Sequence, residues 1–196
     1  MYLRTIIVIT VSISCMSCGG SPKLDLSSLQ NNKKCQKCDL RNGEFQGANF
    51  QGINLEEADL EQSDFRNALL RGALMQRTNM VKSNFENAQL QGADLRGANL
   101  EGANFKGADL QGADLESTRL QGTNFENANL KEVNFQRAHI NVKNTNTKIT
   151  EARFYGGSYQ SYAEEEEVIL TGAHLEGATW IDGQICKEGS IGSCVY

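Results

Sequence analysis

The stretch Gln91-Gly92-Ala93-Asp94-Leu95-Arg96-Gly97-Ala98-Asn99-Leu100-Glu101-Gly102-Ala103-Asn104-Phe105-Lys106-Gly107-Ala108-Asp109-Leu110 decides the fold. One large apolar residue returns every five positions, with Ala two places before it and Asp or Asn between. A period of five fits neither the 3.6 of a helix nor the 2 of a flat strand. It fits a chain that turns a corner every five residues. One small and one large side chain of each unit then point inward, and Gly or Asn at the corner tolerates the bend.

The same frame runs outward from this stretch, from Cys38 to Val142, as 21 units without an insertion. Leu, Phe, Met or Ile is central in every unit, and Ala holds the small inward position in twelve. Tandem repetition on this scale marks a solenoid. A second period overlies the first, because Phe45, Phe65, Phe85, Phe105 and Phe125 recur every 20 residues. If four units make one coil, these rings stack on one side at a spacing of about 4.8 Å. Among the outward residues beside them, Gln46, Arg66, Glu86, Lys106 and Glu126, the charges alternate in sign between adjacent levels, as cross-strand partners do. The frame weakens after Ile140: residues 147–151 and 152–156 look like units slipped by one place, and 157–167 fit nothing and are expected to loop out. Leu170, Leu175 and Trp180 restore it. About seven coils are expected, a rod of roughly 30 Å.

Composition agrees with a lean, repetitive core. The 196 residues are 39% hydrophobic and 22% charged, with 19 Gly and one Pro. The charge is too low for a self-repelling disordered chain. A net charge of −5 makes nucleic acid a poor electrostatic partner.

Ala93-Asp94-Leu95, Ala98-Asn99-Leu100, Ala103-Asn104-Phe105 and Ala108-Asp109-Leu110 resemble the repeat of the pentapeptide-repeat family. The resemblance covers about two-thirds of the chain. It implies an all-β, right-handed, four-sided parallel β-helix; the handedness comes from the resemblance alone. Members that bind DNA gyrase by imitating duplex DNA make that one functional alternative here. Others pair end to end, which leaves a homodimer open. The tail from Trp180 to Cys194 resembles the cysteine-containing endings of exported members. A Cys186–Cys194 bridge there would close a loop of about nine residues, worth about 2–3 kcal/mol on the entropy model, and would stand in the way of end-to-end pairing.

The N-terminus reads as an address. Arg4 and the apolar run Thr5–Ile13 have the form of a secretory signal, expected over residues 1–17. The segment that follows resembles a bacterial lipoprotein signal with Cys18 as the acylated residue; Cys15 and plain secretion are the alternatives. Residues 18–32 are expected to form a flexible tether, 33–185 the β-helix, and 186–196 a disulfide-closed cap. With Cys18 lipidated, Cys35, Cys38, Cys186 and Cys194 remain, an even number that reads as two disulfides in an exported domain. Cys35 and Cys38 fall on inward positions of the first coil, and whether that pair is oxidised stays open.

Catalysis finds no support in the sequence. There is no phosphate-binding glycine loop, no plausible triad and no ligand cluster, so no cofactor or metal is expected. A zinc site from four cysteines fails because the two pairs lie at opposite ends of the rod. His139 and His174 read as plain surface, and Glu164–Glu167 as a solvated loop. Leu69 and Leu74 take outward positions where Asp or Asn is the rule, and form a candidate contact patch. The expected function is a non-enzymatic exported rod in the periplasm or on a lipid anchor, contacting an unidentified envelope protein. Gyrase binding is the first alternative, and a thiol–disulfide role for Cys35 and Cys38 the second.

Overall fold

The computed structural model describes residues 26–139, 172–179 and 185–186. Its backbone is a stack of five-residue units joined by isolated parallel bridges at a separation of 20: Asp39 to Asp59, Asp59 to Asn79, Asn79 to Asn99, and likewise on the other three sides. Four units therefore complete one coil, as the 20-residue recurrence of Phe predicts. Central residues from Leu40 to Phe135 are buried, and the small inward positions are buried with them.

The unit's hydrogen bonding explains its composition. In the unit 93–97, the Ala93 N–H closes the preceding corner on Leu90 O at 2.9 Å. Asp94 donates to Ala73 O in the preceding coil at 3.0 Å, while Leu95 and Gly97 donate to Asp114 O and Glu116 O in the following coil at 2.8 and 2.9 Å. That leaves the Arg96 N–H, which donates to Asp94 Oδ1 at 3.2 Å. Backbone donors need an acceptor, and the corner leaves one for which the side chain two residues back is the near protein partner. The same bond recurs at Asn54, Asp59, Asn84, Asn104, Asp114 and Asn124. Asp and Asn sit between the inward residues for this reason.

Corners place the last residue of each unit in the left-handed region. Gly does this at positions such as 92, 97 and 102, but Glu57, Gln62, Arg77, Lys82 and Arg137 do it too. The corner is thus less restricted to Gly and Asn than the sequence suggests. Gly43 is different: it stands at a small inward position, and an added Cβ would lie 2.3 Å from Phe45 Cε2. Where the small inward residue carries a hydroxyl, a main-chain carbonyl accepts it, that of the preceding turn at most positions and Leu100 O of the preceding coil at Thr123. Thr78 Oγ1 donates to Met75 O at 2.8 Å and Thr118 Oγ1 to Leu115 O at 2.7 Å.

Inside, Phe45, Phe65, Phe85, Phe105 and Phe125 form one column with centroid spacings of 4.7, 4.9, 4.9 and 5.4 Å. Phe50 meets Phe45 edge-on at one end, and Phe135 meets Phe125 edge-on at the other. The outward column beside the rings follows the expected charge ladder only in part. Lys106 pairs with Glu126 at 2.9 Å, but Arg66 turns to Asp64 of its own unit at 2.7 Å. Arg66 has a carboxylate two residues back, whereas Lys106 has the neutral Asn104 there and reaches to the next level.

A segment outside the repeat lies against each end of the described stack. At the start, α1 (Leu26–Asn32) buries Leu29 in the same core, and Lys33, with φ 50°, ends it by donating to Leu29 O at 3.0 Å. This corrects the expected tether, which cannot extend to residue 32. At the far end the stack continues from Asn129 to His174 and from Asn134 to Thr179, so the frame expected at Leu175 does return. The expected excursion at 157–167 lies outside the described residues, as do Leu170 and Trp180. Ile185 then pairs antiparallel with Thr179, and Cys186 exchanges bonds with Gly177 and Ala178, each at 2.9 Å. An antiparallel segment on a parallel edge ends that side of the ladder.

Candidate functional site

Among the described residues the sides of the rod offer the surface on which its chemistry differs from place to place, and the residues singled out in the sequence divide between its ends and its sides. Cys35 and Cys38 are 2% and 3% exposed and are bonded to each other, with Cα atoms 5.3 Å apart. They face inward, as their register predicts. Cys186 is also buried and disulfide-bonded. Its expected partner Cys194 lies outside the described residues, as do Cys18, Cys15, Glu164–Glu167 and the signal segment. His139 and His174 are exposed on two different sides and sit in the bridge ladder. Among the described residues, no group of three or more His, Cys, Asp or Glu converges as metal ligands would, and no helix is long and apolar enough to cross a membrane.

Leu69 and Leu74 are placed outward on adjacent sides of one coil, as expected; Leu69 is half-buried and Leu74 is 41% exposed. Leu69 bridges Asn49 and Gln89, and Leu74 bridges Asn54 and Asp94. Neither offers an acceptor to the N–H two residues on, so these two consecutive units forgo the bond that Asn49 and Asn54 make one coil earlier. A net hydrogen bond contributes about 1 kcal/mol, and each leucine gives that bond up at its own corner.

The charged residues follow a rule of their own. Arg41, Arg66 and Arg96 each pair with the Asp two residues earlier, at 2.6, 2.7 and 2.5 Å. The guanidinium of Arg41 holds the Asp39 carboxyl below the ordinary carboxylate value. At Asp64 and Asp94 partial burial pushes upward, and the bonds from the neighbouring Arg side chain, its backbone N–H and a Gln outweigh it, so both are lowered as well. That Gln is a second device absent from the sequence reading. Gln46, Gln76 and Gln91 stand two residues after Glu44, Leu74 and Gln89 rather than after an Asp or Asn, and each donates to the Asp 18 residues on, at 2.6 Å. Gln51, Gln111 and Gln136 follow Asx residues and bond to them through their own N–H instead. The residues two places back and 18 places on would together have revealed both habits.

Comparison with known proteins places this geometry. The model of pentapeptide repeats matches in 8 copies, over residues 34–72, 68–107, 83–122 and 108–141, which together span more than half of the chain. No curated protein matches. Among solved structures, the pentapeptide repeat protein Rfr23 of the cyanobacterium Cyanothece 51142 is similar, with 26% identity over 58% of this chain and 91% of its own, at a TM-score of 0.57. The pentapeptide repeat protein alr5209 of Nostoc PCC 7120 shares 34% identity over 50% of this chain and 77% of its own, at a TM-score of 0.43. QnrB1, a plasmid-mediated fluoroquinolone resistance protein, shares 25% over 50% and 53%, at 0.41. The coil of four five-residue units and the matches along it have one meaning: the chain belongs to the pentapeptide repeat family, whose members are right-handed quadrilateral β-helices.

Proposed function

We propose that this protein is a non-enzymatic, exported rod that presents its sides to another protein of the cell envelope. The observation that carries this reading is the filled interior. Every described central position from Leu40 to Phe135 is buried against its neighbours in adjacent coils, so the interior of the described coils leaves no room for a substrate and recognition falls to the outer faces. In this reading the chain makes about seven coils, and residues 1–17 are removed as a signal. A lipid on Cys18 and a short tether ending before α1 hold the rod at the membrane. Cys186–Cys194 closes the far end, so the rod acts singly rather than pairing end to end.

The DNA-mimic reading is weaker. A mimic needs faces dominated by carboxylate. Here Lys37 pairs with Glu57, Arg77 with Glu56 and Glu57, and Lys131 with Glu176, each neutralising acid on the sides. The redox reading is weaker too, because a catalytic pair must be reached by its substrate thiol, whereas Cys35 and Cys38 are buried.

Intact mass of the native protein from fractionated cells, with and without thiol alkylation, tests the proposal. Loss of residues 1–17, added lipid mass and no free thiols are expected. A full-length, unlipidated chain with freely alkylated cysteines would sink the export reading and make gyrase inhibition the next assay.

A further inference from the structure

The corner that separates Leu69 from Leu74 has a composition found on no other edge of the described rod. Gly52, Gly72, Gly92 and Gly112 occupy it on four successive coils. A Cβ added to any of them would meet nothing within 4 Å. At Gly97, Gly107, Gly172 and Gly177, on other edges or further along, a side chain of the preceding coil already lies within that distance. The four-glycine edge is therefore bare backbone, open to close approach by another main chain.

One charge stands on it. Arg71 is exposed and lies in the same column as Gln51, Gln91 and Gln111 of the neighbouring coils. Arg41, Arg66 and Arg96 pair with the Asp two residues earlier, but the residue two before Arg71 is Leu69. Among the described residues its guanidinium makes no ion pair or side-chain hydrogen bond. The side on which it stands has uncharged outward residues at Asn49, Gln51, Leu69, Gln89 and Gln91. Leu69, Arg71 and Leu74 thus break the repeat's own rules at one level, and each break forgoes a bond that the repeat normally makes. Departures of this kind are expected where a surface is used.

We propose that Leu69, Arg71 and Leu74, across the bare Gly72 corner, form a docking strip for a protein segment that carries an aspartate or glutamate beside a leucine, isoleucine or valine. Charge complementarity names this partner. An unpaired guanidinium takes a carboxylate through two parallel bonds, and the flanking leucines exclude water from that pair and cover an apolar neighbour. The strip rests on the reading of the rod as an interaction module and states where and by what chemistry it interacts.

The test uses the triple variant L69N/R71Q/L74N, whose residues are those already present at positions 49, 51 and 54 of the preceding coil, and the single variant R71Q. A random dodecapeptide phage library is selected on the immobilised full chain. The expected sequences carry an acid beside an aliphatic residue and bind the parent about tenfold or more tighter than either variant. Sequences without an acid, sequences that bind the triple variant equally, or no enrichment at all would overturn the strip. A photo-crosslinking residue is also placed at 69, at 74 and, on another side, at 86 in the producing cells. Adducts at 69 and 74 that vanish with R71Q support the strip. Adducts at 86 alone refute it while leaving the interaction module standing; none at any position refutes both.

Discussion

Phe85 is the position at which the column of rings can be tested most severely. It is fully buried between Phe65 and Phe105, with centroids 4.9 Å away on each side and planes within 7° and 4° of parallel. Truncation to alanine removes a ring from the middle of the stack and leaves a cavity. The walls have little freedom to close it. Phe85 N–H is held by Asn104 O at 2.7 Å, Asn104 N–H by Ser83 O at 2.9 Å, and Ala88 N–H by Phe85 O at 3.0 Å. Phe→Ala in a core costs about 3–5 kcal/mol, and each lost ring pair contributes about 0.5–1.5 kcal/mol of favourable stacking. With two pairs lost and no collapse, Phe85→Ala should fall near the top of that range, at about 4–5 kcal/mol. For a chain of this size that is a fall in Tm of roughly 8–20 °C. Urea unfolding followed by far-UV circular dichroism measures it, with Glu86→Ala, on the outer surface of the same unit, as the control near zero. A loss under about 2 kcal/mol would mean that the coil tolerates voids, and the account of a rigid, filled interior would be wrong.

Three further outcomes follow from the same geometry. Gly43→Ala should destabilise more than Gly47→Ala by chemical denaturation: the first drives a Cβ to 2.3 Å from the Phe45 ring, whereas the second meets nothing and carries only the left-handed penalty of about 1 kcal/mol. Because the Asp39, Asp64 and Asp94 carboxyls are held below their ordinary values, the unfolded chain takes up protons first on acidification. Their contribution is therefore complete above the ordinary Asp value of about 3.9 and disappears as pH falls through the lower folded values. The variant D39N/D64N/D94N keeps each corner acceptor through its amide oxygen and should show a shallower acid limb in pH-dependent unfolding; an unchanged limb would refute the assignment. The buried Cys35–Cys38 bond should survive a dithiothreitol treatment that fully reduces the urea-unfolded chain, as thiol alkylation and mass spectrometry would show. Ready reduction of the native protein would restore the redox reading.

The repeat was legible because each unit must satisfy the same two inward positions, and a period of five has few geometric solutions. The 20-residue recurrence of Phe carried the coil size, and the rings stack where it puts them. What stayed hidden was local or relational. The segment Leu26–Asn32 is too short to announce a helix by propensity, and burial of Leu29 in the first coil accompanies its formation. The Asp and Asn preference was visible, but its cause was not, since the fifth donor of a unit is identified only when the other four have been assigned. Leu69 and Leu74 were readable as exceptions to the pattern. Arg71 was not, because an arginine at that place looks like Arg41, Arg66 and Arg96 until their partners are traced.

A fold built this way separates stability from recognition. The inward residues and the coil-to-coil bonds hold the rod together, and they make the same demands on every unit whatever the outer residues are. The outer positions answer to the corner donor, which Asp or Asn accepts, and to amide and charged partners on neighbouring levels. Two consecutive leucines and an unpaired arginine therefore give up about one hydrogen bond's worth of stability each, or less, in a structure that gains far more from its filled core. The repeat can carry such exceptions wherever a partner needs them. Its sides can diverge while its length, spacing and stiffness stay fixed, and a search for function in this chain belongs at the places where the repeat breaks its own pattern.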